Sequence, residues 1–266
     1  MSDRSRSLTL ITIPGIPEVL PGTDLSAVLG DALAAASIAL KPGDVLVVAQ
    51  KIVSKAENRY VDLDQVVPGR RALALAEQTD KDPRLVEIIL GESRDVVRCR
   101  PGLIVVETRH GFVMANAGMD RSNVPNNENR VLLLPLDPDA SARNLAMGLE
   151  RRFGTLPGIV IADSVGRAWR LGTVGTAIGL FGVPGLVDLR GLPDRQGRAL
   201  EVSQVGHADQ VAAAAALLMG EADEGTPVVL VRGLSVPASS NQDRDAGNPG
   251  VGIATLVRDK QADLFR

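Results

Sequence analysis

The sequence predicts an α+β fold with mixed and antiparallel sheets and flanking helices, on three observations. Short apolar runs such as Val45–Ala49 and Gly158–Ala162 have the length and composition of buried strands. Alternating segments joined by short turns indicate an antiparallel meander over Arg94–Cys99, Leu103–Glu107 and Phe112–Ala115. Strands and helices do not alternate as regular βαβ units, which argues against a doubly wound sheet.

The other elements of the first half follow from apolar periodicity, capping residues and boundary prolines. These signals predict a strand Leu8–Ile13, a helix from Leu25 capped by Thr23 and Asp24, a short strand Val61–Val66, and helices Pro68–Thr79 and Pro83–Leu90.

The same signals place the elements of the second half. They predict a strand Val131–Leu134, a helix from Asp137 to about Phe153, strands Leu186–Leu189 and Leu200–Ser203, a helix Gln210–Met219, a strand Pro227–Val231, a mobile loop or lid over Ser235–Pro249 and a short docking helix within Gly252–Arg266. The run Ala212–Ala216 has little side-chain bulk, so its helix must pack very closely on something or lie at a dimer seam.

Composition limits the classes of function. The 266 residues suit a single domain over 1–266, built as one large unit or two interlocked small ones. A net charge of −3 argues against a nucleic-acid partner, and Cys99 alone excludes an intrachain disulfide framework. No apolar run suits a signal peptide or a membrane span, so we expect a cytoplasmic protein with no membrane partner.

The densest polar stretch runs from Asp163 to Gly179, directly after an apolar strand. A carboxylate at a strand end can hold a hard cation, and arginines such as Arg167 and Arg170 can grip phosphate or carboxylate. Glycines with free N–H groups can wrap phosphate oxygens. The stretch therefore predicts a metal-assisted site for anionic, phosphorylated ligands, with a Gly-rich surface loop as the alternative.

Three further segments are candidates for the same site. Lys51 and Lys55 follow a buried strand and suit a polyphosphate, or else belong to a solvated face. Asp120 can share a cation with Asp163, although its segment also suits a loop of local Asx turns. The rigid loop Pro14–Pro17 can approach a ligand, but a plain turn is the favoured interpretation on that segment alone.

Four polar clusters resemble, in the right order, the single-domain form of the coenzyme F420-0:L-glutamate ligase family, which lacks a C-terminal flavin domain. They are Ala49–Glu57, Ala115–Asn123, Asp163–Arg167 and Gly172–Gly179. Gly191–Met219 and the closing Asp263-Leu264-Phe265 also resemble the family, so the resemblance runs from about Ile13 to the C-terminus. It implies an F420 ligase-like fold of α+β protomers and an intertwined homodimer.

The resemblance also implies a reaction. GTP would drive the addition of L-glutamate to F420-0 through an acyl phosphate, giving GDP and phosphate, and further glutamates would be added by γ-linkages. Two divalent ions, Mg²⁺ or Mn²⁺, would assist, with K⁺ as a further candidate cofactor.

The expected site residues fall into three groups, which the resemblance implies except for Lys51, expected on its charge alone. The expected catalytic residues are Asp163 and Arg167. The expected metal ligands are Asp120, Asp163, Ser164 and Gln204. The expected nucleotide-binding residues are Pro14, Gly15, Ile16, Pro17, Gln50, Lys51, Lys55, Asn123, Val205 and Gly206. Ser164 stands where the family often has Thr, and both side chains present a hydroxyl.

Three alternative functions stay open at this point. A ligase of the same fold could glutamylate folate or another pterin-like acid, and only the acceptor pocket would distinguish it. A nucleotide-binding regulatory protein without catalysis would need fewer metal ligands than Asp120 and Asp163 provide. A metal-dependent phosphohydrolase would release phosphate from GTP with no acceptor present.

Overall fold

The structure is a computed structural model that describes residues 6–124, 129–235 and 252–263. The strands of these residues are β1 (Thr9–Thr12), β2 (Val45–Ala49), β3 (Tyr60–Asp62), β4 (Ser93–Arg100), β5 (Leu103–Thr108), β6 (Val113–Ala115), β7 (Arg130–Leu132), β8 (Gly158–Gly166), β9 (Thr173–Phe181), β10 (Leu186–Asp188), β11 (Gln204–Gly206) and β12 (Val228–Arg232). The α-helices are α1 (Leu25–Ala35), α2 (Gln50–Ala56), α3 (Arg70–Thr79), α4 (Pro83–Gly91), α5 (Pro138–Phe153) and α6 (His207–Met219).

A five-stranded mixed sheet forms the centre of the fold, in the order β1-β12-β2-β8-β9. Among the described strands of this sheet, β2 and β8 run parallel and the other neighbours are antiparallel. This sheet and its flanking helices confirm the predicted α+β class with mixed and antiparallel sheets.

Helices cover both faces of this sheet. Leu46 and Val48 of β2 belong to the apolar cluster that includes α1 and α5. Val45 and Val47 belong to the cluster that includes α6. Because both faces are buried, β2 consists of consecutive apolar residues rather than alternating ones.

A second group of elements packs beside the central sheet. Strands β4, β5 and β6 form the predicted antiparallel meander. Its residues Ile104 and Val106 pack on α3 and α4 in a separate apolar cluster. After β6 the chain reaches Asp120, whose backbone exchanges two hydrogen bonds with Leu132 of β7.

The predicted end of the strand before Asp163 is wrong, because β8 continues to Gly166 and pairs with β9. The alternative of a Gly-rich surface loop fails for the same reason over the paired residues. The glycines of β9 allow close packing rather than a flexible loop. A Cβ on Gly175 would lie 2.6 Å from the backbone oxygen of Ala212 in α6. The Ala-rich helix therefore has the close neighbour that its sequence predicted, and that neighbour lies within the same chain.

Three other elements differ from the prediction. The strand expected at Val61–Val66 ends at Asp62, where the Asp62 side chain accepts from Asp64 N and starts a 3₁₀ turn. The strand expected at Leu200–Ser203 forms instead at Gln204–Gly206, which is β11 and pairs with β10. Within Gly252–Asp263 the predicted short docking helix takes the form of two 3₁₀ turns, the first of which buries Ile253. The lid predicted over Ser235–Pro249 lies outside the described residues from position 236 onward.

Candidate active site

The parallel pair of strands brings two polar segments to one edge of the central sheet. Ala49 of β2 and Ala162 of β8 are register partners. Gln50 and Asp163 follow these partners directly, so both lie at the same edge. The edge where parallel strands end is the usual place for ligand sites in sheets of this kind.

A cavity of about 470 Å³ opens at this edge. Its walls come from the Ile16–Val19 loop, the start of α2, Asn123, the middle of the β8–β9 hairpin and the chain after α6. The volume lies within the range of pockets that hold small-molecule ligands.

Lys51 and Asp120 form an ion pair at the side of this cavity. The Lys51 Nζ lies 2.8 Å from Asp120 Oδ2 and donates to Ser122 Oγ at 2.6 Å. Asp120 Oδ1 accepts from both the backbone N and the hydroxyl of Ser122. These contacts fix the position of Asp120. They also pair Lys51 with Asp120, two residues that the sequence predicted to belong to one site.

Lys55 is a buried cation whose ammonium reaches an exposed acid. Its side chain is only 6% exposed, and its Nζ lies 2.5 Å from Glu18 Oε1. Glu18 belongs to the loop before α1 and its side chain is 64% exposed. A buried ammonium next to an open cavity is well placed to bind a phosphate group.

Asp163 carries an unfavourable charge in this cavity. Burial, the largest cause, and the nearby carboxylates of Asp120 and Glu221 together raise the pKa of its carboxyl to about 6, against the lowering effect of the Ser164 N–H and Lys51. The Ser164 N donates to Asp163 Oδ1 at 2.9 Å, and Ser164 Oγ donates to Glu221 Oε1 at 2.6 Å. A divalent cation would relieve this concentration of negative charge.

The oxygen donors suit Mg²⁺ or Mn²⁺ in chemistry. Asp120, Asp163, Ser164 and Glu221 offer carboxylate and hydroxyl oxygens, which hard divalent cations prefer. They do not form a ready cluster, since no group of three His, Cys, Asp or Glu side chains among the described residues is gathered closely enough to hold a metal. Asp120 instead pairs with Lys51.

Most of the predicted site residues meet in this cavity. Its walls include Ile16, Pro17, Gln50, Lys51, Lys55, Asn123, Asp163 and Ser164. Pro14 and Gly15 lie just before the wall residues of the same loop. Gln50 is buried and accepts a hydrogen bond from Ser54.

Other predicted site residues lie elsewhere. Gln204, Val205 and Gly206 form β11 and are not among the described residues that line the cavity. The amide of Gln204 donates to Asp188 at 3.3 Å instead. Arg167 is exposed and donates to the backbone oxygen of Leu171 within the β8–β9 hairpin.

Sequence reasoning missed Glu221 and the segment around it. The cavity wall continues through the chain from Met219 to Pro227 after α6. Thr226 holds this segment against the helix end by donating to the backbone oxygens of Leu218 and Met219. The signal in the sequence was Gly220 followed by Glu221, Asp223 and Glu224. The pattern by itself indicated only that the preceding helix ends there.

Comparison with known proteins decides the family. The family model described as F420-0:Gamma-glutamyl ligase matches residues 15–233. The chain belongs to this family. As a member it is a ligase, an enzyme that forms amide bonds.

Curated relatives align with this chain over most of their length. The protein of Methanothermobacter thermautotrophicus named coenzyme F420:L-glutamate ligase is 42% identical over 97% of this chain and 99% of its own. The Methanopyrus kandleri protein of that name is 46% identical over 86% of this chain and 88% of its own. The Methanocaldococcus jannaschii protein of that name is 40% identical over 85% of this chain and 86% of its own. No helix in the described part of the chain is long and apolar enough to cross a membrane.

Proposed function

We propose that this protein uses GTP to attach L-glutamate to coenzyme F420-0 and then adds further glutamates by γ-linkages. The observation that carries the proposal is the cavity at the ends of β2 and β8, whose walls include Lys51, buried Lys55 and Asp163, with Lys51 paired to Asp120. The family of the chain and the names of its relatives supply the substrates.

The chemistry requires activation of a carboxylate before an amine can attack it. A carboxylate oxygen of F420-0 attacks the γ-phosphorus of GTP, and the bond to the β-phosphate oxygen breaks, which releases GDP. The amine of L-glutamate then attacks the acyl carbon, phosphate leaves, and the amine loses its proton to solvent. Both steps depend on positioning and on neutralisation of charge.

Different residues of the cavity would position the substrates and neutralise their charge. Lys55 and Lys51 would bind the phosphates of GTP as fixed cations. The Ile16–Val19 loop and Asn123 would contact the nucleotide from either side. Ser122 holds Asp120 in place through two hydrogen bonds, so that the carboxylate keeps its orientation when Lys51 turns to a phosphate.

Asp120, Asp163, Ser164 and Glu221 would hold the divalent ions. When bound, these ions supply neutralisation of the charge that develops on the transferred phosphate. The raised pKa of Asp163 supports this assignment, because a cation nearby would return that carboxylate to its ionised form.

Mass spectrometry of F420-0 incubated with the protein, GTP, L-glutamate and Mg²⁺ or Mn²⁺ tests the proposal. We expect products heavier by glutamyl units that require both GTP and the metal. Folate is the parallel acceptor, and extension of folate alone would assign the protein to a sister activity. Phosphate release from GTP without any acceptor would indicate a phosphohydrolase and contradict the ligase.

A further inference from the structure

A second cavity lies along the β8–β9 hairpin, near Asp163. It has a volume of about 220 Å³ and lies where the β8–β9 hairpin meets the turn before β6, α6 and the Ile253–Asp263 segment. Its described walls share no residue with the 470 Å³ cavity, so the two cavities are separate.

The register of the hairpin places the second cavity next to Asp163. Thr176, which lines it, is the cross-strand partner of Asp163. Cross-strand partners project to the same face of a sheet with their Cβ atoms about 5 Å apart. Val165 lines the cavity as well, and it lies two residues beyond Asp163 on the same face of β8.

The walls of the cavity suit a flat aromatic group. Phe112 and Met114 contribute an aromatic ring and a thioether, and Ile178, Leu256 and Val257 add aliphatic surface. The ring of His110 stacks on Phe112 at 5.6 Å between centroids and so helps to hold that wall. Aromatic and thioether groups both pack favourably on planar rings.

Three charged side chains line the cavity, Asp209, Asp263 and Arg258, together with the hydroxyl of Thr176. Asp209 lines it and accepts a hydrogen bond from Ala177 N at 3.0 Å through Oδ1. A carboxylate has further acceptor positions for a ring N–H. Arg258 lies at the exposed rim, where a guanidinium suits an acidic ring hydroxyl or another anion.

We propose that this second cavity binds the deazaflavin ring of the acceptor, with the anionic tail leading past Thr176 to Asp163. The proposal rests on the proposed function and adds the location of the acceptor site. Pockets that bury whole drug-sized ligands have about 300–1,000 Å³. A cavity of about 220 Å³ therefore holds a ring system and leaves the anionic tail of the acceptor outside it, directed to Asp163.

The first experiment measures binding of two fluorescent probes to the full chain. One is F420-0, and the other is the same deazaflavin without its phospholactate tail. We expect both to bind, and the tail-less probe to compete with F420-0 but not with GTP. Failure of the tail-less probe to bind, in a protein that extends F420-0, would overturn the proposal.

Substitutions locate the binding to this cavity. Val257→Trp fills it from the C-terminal segment, and we expect the Kd of the tail-less probe to rise at least about tenfold. The KM for GTP should stay within about twofold. Met147→Trp is the matched control, because Met147 lines a separate cavity beside α5 and should change neither value.

A rim variant keeps the test decisive if Val257→Trp does not fold. Arg258→Glu changes an exposed side chain, and we expect it to weaken F420-0 binding by roughly three- to tenfold without changing the KM for GTP. Unchanged F420-0 binding in the folded variants would overturn the acceptor site while ligase activity persists. Absence of any extension of F420-0 by the unsubstituted protein would instead reject the proposed function, and this proposal with it.

Discussion

Asp163 is a carboxylate that the folded protein makes costly to ionise. Its pKa is raised from 3.8 to about 6, and burial is the largest cause. The stability associated with this group is therefore complete below pH 3.8 and is lost as the pH rises through about 6. At higher pH the metal-free protein carries a cost of at most about 3 kcal/mol at this residue, because each pKa unit corresponds to about 1.4 kcal/mol.

Replacement of Asp163 should separate stability from activity. We expect Asp163→Asn to raise the free energy of unfolding at pH 8 in EDTA by about 1–3 kcal/mol, and to have little effect at pH 4. Ligation should fall at least about 100-fold, since a metal ligand matters more than the outer partners whose loss costs roughly 10–100-fold. Urea unfolding at the two pH values measures the first effect, and equal stability of both proteins at pH 8 would contradict it.

Glu221 and Gln204 offer a direct comparison of the structure with the sequence-based ligand set. Glu221 accepts from Ser164 and raises the pKa of Asp163, whereas Gln204 donates to Asp188. We expect Glu221→Gln to lower the rate of glutamate addition at least about 100-fold, and Gln204→Ala to leave it within about twofold. Rates at saturating GTP measured across a metal titration check this, and a large loss in Gln204→Ala would restore the original assignment.

The sequence predicted the acids and lysines of the site but not all of their partners. Lys51 and Asp163 were identifiable because each follows a buried apolar strand, a local signal. Glu221 contacts Ser164 across 57 positions of sequence, and such a contact depends on how α6 crosses the sheet. A local pattern carries no information on that crossing.

At the scale of elements, the close approach of β9 and α6 determines the shape of the cavity wall. A Cβ on Gly175 would lie 2.6 Å from Ala212 O and 2.8 Å from Ala216 Cβ. Gly166 of the same hairpin has open space around its equivalent position. The two glycines therefore share an element but differ in the room available for a methyl group.

This difference gives a matched pair of variants. We expect Gly175→Ala to lower the free energy of unfolding by about 1–3 kcal/mol, the usual cost of overpacking. Gly166→Ala should change it by less than about 0.5 kcal/mol, as for ordinary surface substitutions. Urea unfolding at pH 7 measures both, and the same loss in the two variants would show that close packing is not the cause.

The elements predicted best are those whose burial is uniform. Val45–Ala49 was predicted to the residue, because a strand buried on both faces is continuously apolar. The end of β8 was missed because Asp163–Gly166 is polar and partly exposed, although its backbone pairs with β9. Strand pairing of this kind depends on a partner that the local pattern does not reveal.

At the scale of the whole molecule, the β8–β9 hairpin presents apolar side chains to solvent. Leu171 is 98% exposed and the Trp169 side chain is 87% exposed, both at the hairpin tip. Large exposed apolar side chains grouped together are typical of interaction sites rather than of a free surface. We propose that a second copy of the chain covers this tip, which agrees with the homodimer that the family resemblance implies.

A charge at the hairpin tip should therefore dissociate the proposed dimer. We expect Leu171→Asp to shift the protein from a dimer to a monomer, because an aspartate in an apolar interface would be desolvated without a partner. Val67→Asp is the matched control, since Val67 is 87% exposed and lies before α3, away from the hairpin in sequence. Light scattering coupled to size-exclusion chromatography gives the masses. A monomer in the unsubstituted protein, or a dimer in Leu171→Asp, would contradict the proposed interface.

Because the hairpin also carries Asp163, we expect the monomer to lose ligase activity while it keeps its fold.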